Sequence, residues 1–162
     1  MKNKYVLLII IIAVSSVSCQ QKKDQHVKVI TMNNTRPINE LKELVLLKGD
    51  TAAYDELATA YLTNKYNEEY LLYSFVMANK YNYPRAYFQV YECLTAVFEL
   101  RKIKIDEKTK TLAIKYLKEG VQLNERQSIN ELGELYLEGK YVPKDTILGK
   151  KLSEKGRKLR GF

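Results

Sequence analysis

Residues 131–145 read Glu-Leu-Gly-Glu-Leu-Tyr-Leu-Glu-Gly-Lys-Tyr-Val-Pro-Lys-Asp, and they contain a pattern that recurs along the chain. It contains a leucine, a small residue and then an aromatic residue three positions later, Leu132-Gly133-x-x-Tyr136. The same pattern occurs twice upstream, at spacings of 37 and 38 residues, as Leu57-Ala58-x-x-Tyr61 and Leu94-Thr95-x-x-Phe98. The small residue lets two helices approach, and the aromatic ring fills the gap between layers. A period of this length predicts stacked helix pairs.

Helical periodicity continues through the chain from Arg36 onward. Apolar residues recur at intervals of three and four, as in the first predicted helix with Ile38, Leu41, Val45 and Leu46. No stretch shows the sustained alternation of a strand between turn signals. We therefore predict an all-α protein, a short α-solenoid of about seven helices in antiparallel pairs. Its repeats are expected at approximately 50–83, 84–124 and 125–162.

The last of these units resembles a Sel1-like repeat, a relative of the tetratricopeptide repeat. The resemblance covers residues 125–160 as a motif and residues 36–162 as an architecture. It implies structural roles for five signature residues, namely Leu132, Gly133, Tyr136, Gly139 and Asp145. It also implies a scaffold that binds proteins, in signalling, envelope assembly or toxin neutralisation.

The N-terminal residues resemble a bacterial lipoprotein signal peptide. Lys2 and Lys4 precede an apolar run over residues 6–14, and Cys19 follows a short stretch of small residues. The run is too short to span a bilayer, which needs about 20 apolar residues. The resemblance implies that residues 1–18 are removed and that Cys19 is acylated, which anchors the chain stably. The alternative is an ordinary secretory signal with an incidental cysteine.

Residues 19–35 are mostly polar and are interpreted as a flexible tether before the helical-repeat domain at 36–162. Gln20 rather than Asp follows the cysteine, so the lipoprotein resemblance favours the outer membrane, facing the periplasm. His26, the single histidine, lies in this tether. A catalytic role for it is not expected, because a flexible base cannot be held in position.

Composition and charge narrow the choice of partners. The chain has 162 residues, 46% of them hydrophobic, which suits one domain with its own core. It carries 27 Lys and Arg against 19 Asp and Glu, and the last helix holds most of the excess. We expect no nucleic-acid partner outside the cytoplasm, so Lys150, Lys151 and Arg157 are predicted to bind an acidic protein surface or anionic lipid headgroups. A polar cap on the end of the solenoid is the other interpretation.

Tyrosines provide a second candidate binding surface. The chain has 13 Tyr, and Tyr66, Tyr70 and Tyr73 follow i, i+4, i+7 spacing. They exceed what the repeat positions need, and tyrosine is common at protein-binding hot spots. The alternative is that a protein without tryptophan uses tyrosine as bulk in its core.

Motifs of known catalytic centres are missing from the sequence. It contains no phosphate-binding Gly loop, no His-Glu-x-x-His, no Gly-x-Ser-x-Gly and no paired Cys-x-x-Cys, so we expect no metal and no cofactor. Cys93 is expected in the core as a small hydrophobe. Catalysis would depend on acidic residues near helix starts, where capping is the preferred interpretation: Asp55, Glu56, Glu68, Glu69, Asp106 and Glu107.

The sequence thus predicts a lipid-anchored, non-catalytic protein that binds another protein in the cell envelope. One alternative is an immunity protein that neutralises a secreted antibacterial toxin, a role that the Sel1-like resemblance implies. A second alternative is an enzyme that acts on cell-wall glycans through two facing carboxylates. The identity of the partner and the oligomeric state stay open.

Overall fold

Seven helices follow one another through residues 36–62 and 67–160, the parts of the chain that the computed structural model describes. They are α1 (Ile38–Glu43, continued by a π-helical turn at Leu44–Lys48), α2 (Thr51–Leu62), α3 (Asn67–Asn79), α4 (Pro84–Arg101), α5 (Glu107–Gln122), α6 (Arg126–Glu138) and α7 (Thr146–Lys158). No strand occurs in these ranges, and the predicted all-α fold of about seven helices is confirmed.

The helices pack against their neighbours in sequence and form a short α-solenoid of antiparallel pairs. The pairs are α2 with α3, α4 with α5, and α6 with α7. Helix α1 packs on both members of the first pair, and α4 also contacts α6 across two successive pairs. This order places α1 and α7 at opposite ends of the stack.

Acidic side chains begin four of the helices, and Asp50 caps α2 by accepting a hydrogen bond from a backbone N–H at 2.8 Å. Asp106, Glu125 and Asp145 each precede a helix and accept hydrogen bonds from the backbone N–H groups two and three residues later. These bonds satisfy donors that the first helical turn leaves free. Gly139 ends α6 with φ of 76°, a left-handed conformation that glycine adopts without a side-chain clash.

The first helix departs from the predicted pattern at its C-terminal end. Leu41 and Val45 are buried as predicted, but Leu46 is exposed. The π-helical turn over Leu44–Lys48 bonds each N–H five residues back instead of four, which rotates later side chains relative to an α-helix. The prediction that Leu46 faces the core is therefore wrong.

Two clusters of buried side chains make up the core. The first joins α1 to α5 and is rich in tyrosine, with Tyr54 and Tyr70 at its centre. The second joins α4 to α7 around Leu117, Ile129 and Leu135. Burial of such side chains contributes about 25 cal/mol for each Å² of apolar surface removed from water. Helices α4 and α5 contribute side chains to both clusters and so connect the two halves of the stack.

The five signature residues of the last repeat occupy structural positions around α6 and α7. Leu132 is buried in the second cluster, and Tyr136 is half-buried against it. Gly133 faces α7 closely, Gly139 ends α6, and Asp145 caps α7. The backbone N–H of Asp145 also donates to the Tyr136 carbonyl at 2.9 Å, which ties the start of α7 to the end of α6.

Candidate functional site

The predicted tyrosine surface does not form. Tyr70 is 0% exposed and Tyr73 is 7% exposed, because α3 turns both rings into the first core cluster. The Tyr70 ring stacks on that of Tyr54 with centroids 5.2 Å apart, and the Tyr73 and Tyr61 centroids are 6.1 Å apart. The prediction that Tyr70 and Tyr73 bind a partner is wrong: these rings are the bulk of the core. Tyr66 lies outside the described residues.

One edge of this aromatic cluster is polar. The Tyr73 hydroxyl donates to Glu69 Oε1 at 3.2 Å, and Lys42 Nζ donates to the same oxygen at 2.6 Å. Burial raises the pKa of Tyr73 to about 12, against the effect of Lys42. Burial opposes ionisation of Glu69, but hydrogen bonds from Lys42 and Tyr61 hold its pKa below the usual value. The hydrogen bonds of Lys42 and Tyr73 to Glu69 connect α1 to α3.

The acidic residues considered for catalysis occupy caps and ion pairs. Four of them form ion pairs, namely Asp55 with Arg85, Glu56 with Arg36, Glu69 with Lys42, and Glu107 with Lys110. Asp106 caps α5, and its hydrogen bonds with Thr109 hold its pKa below the usual value. Glu68 is exposed on α3. Each carboxylate is therefore accounted for by a cap, an ion pair or contact with solvent.

Cys93 lies in the core, as predicted from its place on α4. Burial and the nearby Glu92 carboxylate raise the pKa of its thiol to about 12. The thiolate is the reactive form of cysteine, so this side chain is a poor nucleophile at neutral pH. Cys19, the predicted acylation site, lies outside the described residues.

The predicted cationic residues lie on the outer face of α7, the last helix of the stack. Lys150, Lys151 and Arg157 are all exposed. Across residues 36–62 and 67–160, they have no acidic side chain within ion-pair distance. The basic face, as we call this surface, also includes Lys155 and Lys158, and only Lys158 has an ion pair, with Glu154 at 3.4 Å.

Apolar side chains interrupt the basic face. Leu148 and Leu152 line a groove on α7 together with Lys151, Lys155, Lys158 and one acidic residue, Glu154. Ile147, at the start of the helix, is 82% exposed. Cationic heads above an apolar floor can make both charged and hydrophobic contacts with a second molecule.

Glycines hold α7 tightly against α6 and so fix the position of the basic face. A Cβ on Gly156 would collide with the side chain of Asn130, and one on Gly149 would lie 2.7 Å from Leu137 Cγ. A Cβ on Gly149 would also lie 2.9 Å from the Gly133 carbonyl oxygen, so the backbone of one of the two helices would have to shift. The basic face is therefore carried on a helix that is docked at short range.

The structure also contains a groove that the sequence interpretation did not identify. It runs along α4 beside α6, has a volume of about 430 Å³ and is lined by Phe88, Tyr91, Glu92, Thr95, Ala96, Glu99, Leu100 and Glu131. We call it the acidic groove. The sequence contains a sign of this groove. Glu92 lies two residues before the repeat leucine Leu94, and Glu131 lies one residue before Leu132, so the repeat period places the two carboxylates on helices that adjoin each other.

The chain matches no protein-family model, and no curated protein and no solved structure matches it. Among the described helices none is long and apolar enough to cross a membrane. In the same part of the chain, no group of three His, Cys, Asp or Glu side chains could hold a metal ion.

Proposed function

We propose that this chain is a lipid-anchored, non-catalytic helical-repeat protein that binds another protein in the bacterial cell envelope. The observation that carries the proposal is the basic face of α7, where Lys150, Lys151 and Arg157 are exposed and lack counter-ions among the described residues. An acidic surface of a protein partner would supply those counter-ions. Opposite charges across an interface raise the association rate and select against wrong partners.

The order of the helices supports a protein partner rather than lipid headgroups. The anchor proposed at Cys19 precedes α1, whereas the basic face lies on α7 at the other end of the stack. Attachment of the chain through its N-terminus therefore leaves α7 free to meet a second protein. The apolar floor of Leu148 and Leu152 between the cations also suits the mixed chemistry of a protein interface.

The absence of catalysis in this proposal is supported by the positions of the carboxylates that the sequence suggested for catalysis. Asp106 serves as a helix cap, while Asp55, Glu56, Glu69 and Glu107 pair with cations. A general acid or base needs a free position beside a substrate and a pKa suited to its task. The Cys93 thiol, buried with a raised pKa, does not fit a nucleophile.

The binding test compares two charge-reversed variants that change the net charge equally. In the first, Lys150, Lys151 and Arg157 on α7 are replaced by Glu. In the matched control, the exposed lysines Lys104, Lys108 and Lys118 near and on α5 are replaced by Glu. We expect one stoichiometric envelope protein to co-purify with the wild-type chain and the α5 variant, and to be lost from the α7 variant and at high salt.

Two results would contradict the proposal. Retention of the partner by the α7 variant would show that the basic face is not the binding surface. Binding of the wild-type chain to vesicles of anionic phospholipid, with no protein retained, would assign the basic face to lipid headgroups instead. The anchor is tested separately by incorporation of labelled palmitate, which is expected in the wild-type chain and lost in Cys19→Ser.

A further inference from the structure

The acidic groove lies on α4 and α6, and the proposed function does not use it. Its floor and walls include the aromatic rings of Phe88 and Tyr91 and the methyl group of Ala96. Leu100 stands at its edge and is 77% exposed. A single exposed leucine is ordinary on a protein surface, but here it extends the apolar lining of a concave surface that a second molecule can cover.

Two carboxylates in the groove lack a cationic partner. Glu99 is neutralised by Lys140, whose Nζ donates to it at 2.7 Å. Glu92 and Glu131 form no ion pair with any residue in the described ranges. Glu131 accepts only the neutral hydroxyl of Tyr91, at 2.7 Å. The groove therefore carries an uncompensated negative charge beside an apolar surface.

The environment of Glu92 disfavours its own charge. Burial raises the pKa of Glu92, and the charge of Glu131 raises it further, while Gln89 and Arg85 act in the opposite direction. Arg85 is already paired with Asp55 at 3.0 Å. A cation placed between Glu92 and Glu131 would relieve both the desolvation of Glu92 and the repulsion between the two carboxylates.

A buried acceptor lies next to this pair. Gln89, less than one helical turn before Glu92, is 4% exposed, and its amide acts to lower the pKa of Glu92. Its own Oε1 has no hydrogen-bond partner. Buried acceptors are seldom left unpaired in folded proteins. Gln89 does not line the groove itself, which is formed by the two uncompensated carboxylates and the apolar side chains around them.

We propose that the acidic groove binds an arginine-containing segment of a protein, with the guanidinium at Glu92 and Glu131 and an apolar neighbour of the arginine against Leu100. Arginine fits better than lysine because its planar group offers five donors and can stack on an aromatic ring. Both features are present here, in the carboxylates and in the half-buried ring of Phe88. A metal ion does not fit, since no three acidic, His or Cys side chains of the described chain converge.

This site is independent of the basic face. The groove belongs to α4 and α6, and the basic face belongs to α7. The groove also selects the opposite charge, so a chain with both surfaces could hold an acidic and a basic partner together. If binding at one of the two surfaces is not observed, the proposal for the other surface is unaffected.

The test measures binding of a labelled peptide to the full chain by fluorescence anisotropy at low ionic strength. The probe is a nine-residue peptide with one arginine between two leucines in a Gly-Ser background. Its controls replace the arginine by citrulline, which has nearly the same shape without the charge, or by lysine. We expect the arginine peptide to bind about tenfold or more tightly than the citrulline peptide, with the lysine peptide between them.

Protein variants locate the binding. Glu92→Gln and Glu131→Gln keep the side-chain shape and remove one charge each, and each is expected to weaken binding of the arginine peptide about tenfold. Glu134→Gln is the matched control, because Glu134 is exposed on α6 outside the groove. Its affinity is expected to equal that of the wild-type chain. Circular dichroism and thermal unfolding check that every variant is folded.

Three results would overturn the proposal. The first is equal binding of the arginine and citrulline peptides. The second is a loss in Glu134→Gln as large as that in Glu92→Gln, which would indicate general attraction to negative charge. The third is no saturable binding of the arginine peptide up to millimolar concentration.

Discussion

Gly133 on α6 and Gly149 on α7 meet where the two helices cross. A Cβ on Gly149 would lie 2.9 Å from the Gly133 carbonyl oxygen, and a Cβ on Gly133 would lie 3.3 Å from the Gly149 carbonyl oxygen. Neither backbone can retreat easily, because Leu137 also packs against Gly149 and Ser153 donates to its carbonyl at 3.0 Å. The pair brings the last two helices into backbone contact.

Gly149→Ala should destabilise the protein. Alanine in the interior of a helix normally stabilises by about 0.5–1 kcal/mol relative to glycine. Here the added methyl meets Leu137 and a carbonyl, and such overpacking costs about 1–3 kcal/mol. We expect a lower unfolding midpoint in urea, and a smaller loss or none for Lys150→Ala on the exposed side of α7. An increase in stability for Gly149→Ala would show that α6 and α7 can accommodate the added methyl group without loss of packing energy.

Much of the fold could be predicted because its determinants are local in sequence. The period that joins Leu57, Leu94 and Leu132 gave the helix pairs, and capping carboxylates such as Asp106 marked helix starts. The burial of Tyr70 could not be predicted, because tyrosine suits both a core and an interface, and only the packing of α3 against α2 decides which. The acidic groove depends on two helices that meet across repeats: the period places Glu92 and Glu131 on these helices, but only the packing of α4 against α6 brings them to one groove.

Tyr70→Ala should lower the free energy of unfolding by about 3–5 kcal/mol, the usual cost of removing a large buried ring. The ring is fully buried and stacks on Tyr54, so a cavity would remain beside α2. Leu72→Ala, at an exposed position on the same helix, should change stability by less than about 0.5 kcal/mol. Chemical denaturation measures both. Equal free energies of unfolding for the two variants would mean that the Tyr70 ring does not stabilise the packing of α3.

Asp145→Ala should cost about 1 kcal/mol, the typical value for loss of a helix N-cap. Its Oδ1 accepts from the N–H groups of Ile147 at 3.1 Å and Leu148 at 2.9 Å. Asp145→Asn retains an acceptor and should stay close to the wild-type stability. The two variants are compared by thermal unfolding. If both lose the same stability, the negative charge of Asp145 matters more than its hydrogen bonds.

Cys93 should react slowly with iodoacetamide in the folded protein. Its thiol is buried and has a pKa raised to about 12, so little thiolate forms at pH 8. The measurement uses Cys19→Ser, in which Cys93 is the single cysteine. Labelling followed by mass spectrometry should be fast in 8 M urea, about the concentration that unfolds most small domains, and slow without it. Complete labelling of the native chain within minutes would contradict the burial.

Glu92 and Glu69 should give opposite pH dependences of stability. Burial raises the pKa of Glu92 in the folded state, so its ionised form lowers stability at neutral pH. This penalty is relieved as the pH falls through the folded-state pKa and vanishes below the unfolded value of about 4.3. Glu92→Gln should therefore be more stable than the wild-type chain at pH 7, with a difference that disappears near pH 4.

Glu69 behaves in the reverse sense, because hydrogen bonds from Lys42 and Tyr61 outweigh burial and hold its folded-state pKa below the usual value. Its contribution to stability is present above the unfolded pKa and is lost as the pH falls through the folded one. Glu69→Gln should cost about 0.2–1 kcal/mol at pH 7, the range for partly exposed ion pairs, and less at pH 4 and below. Urea denaturation of both variants at pH 4 and pH 7 tests the contrast.

A loss of stability in Glu92→Gln at pH 7 would mean that the Glu92 carboxylate is already neutralised in the folded wild-type chain. The acidic groove would then lack the negative charge on which its proposed role depends.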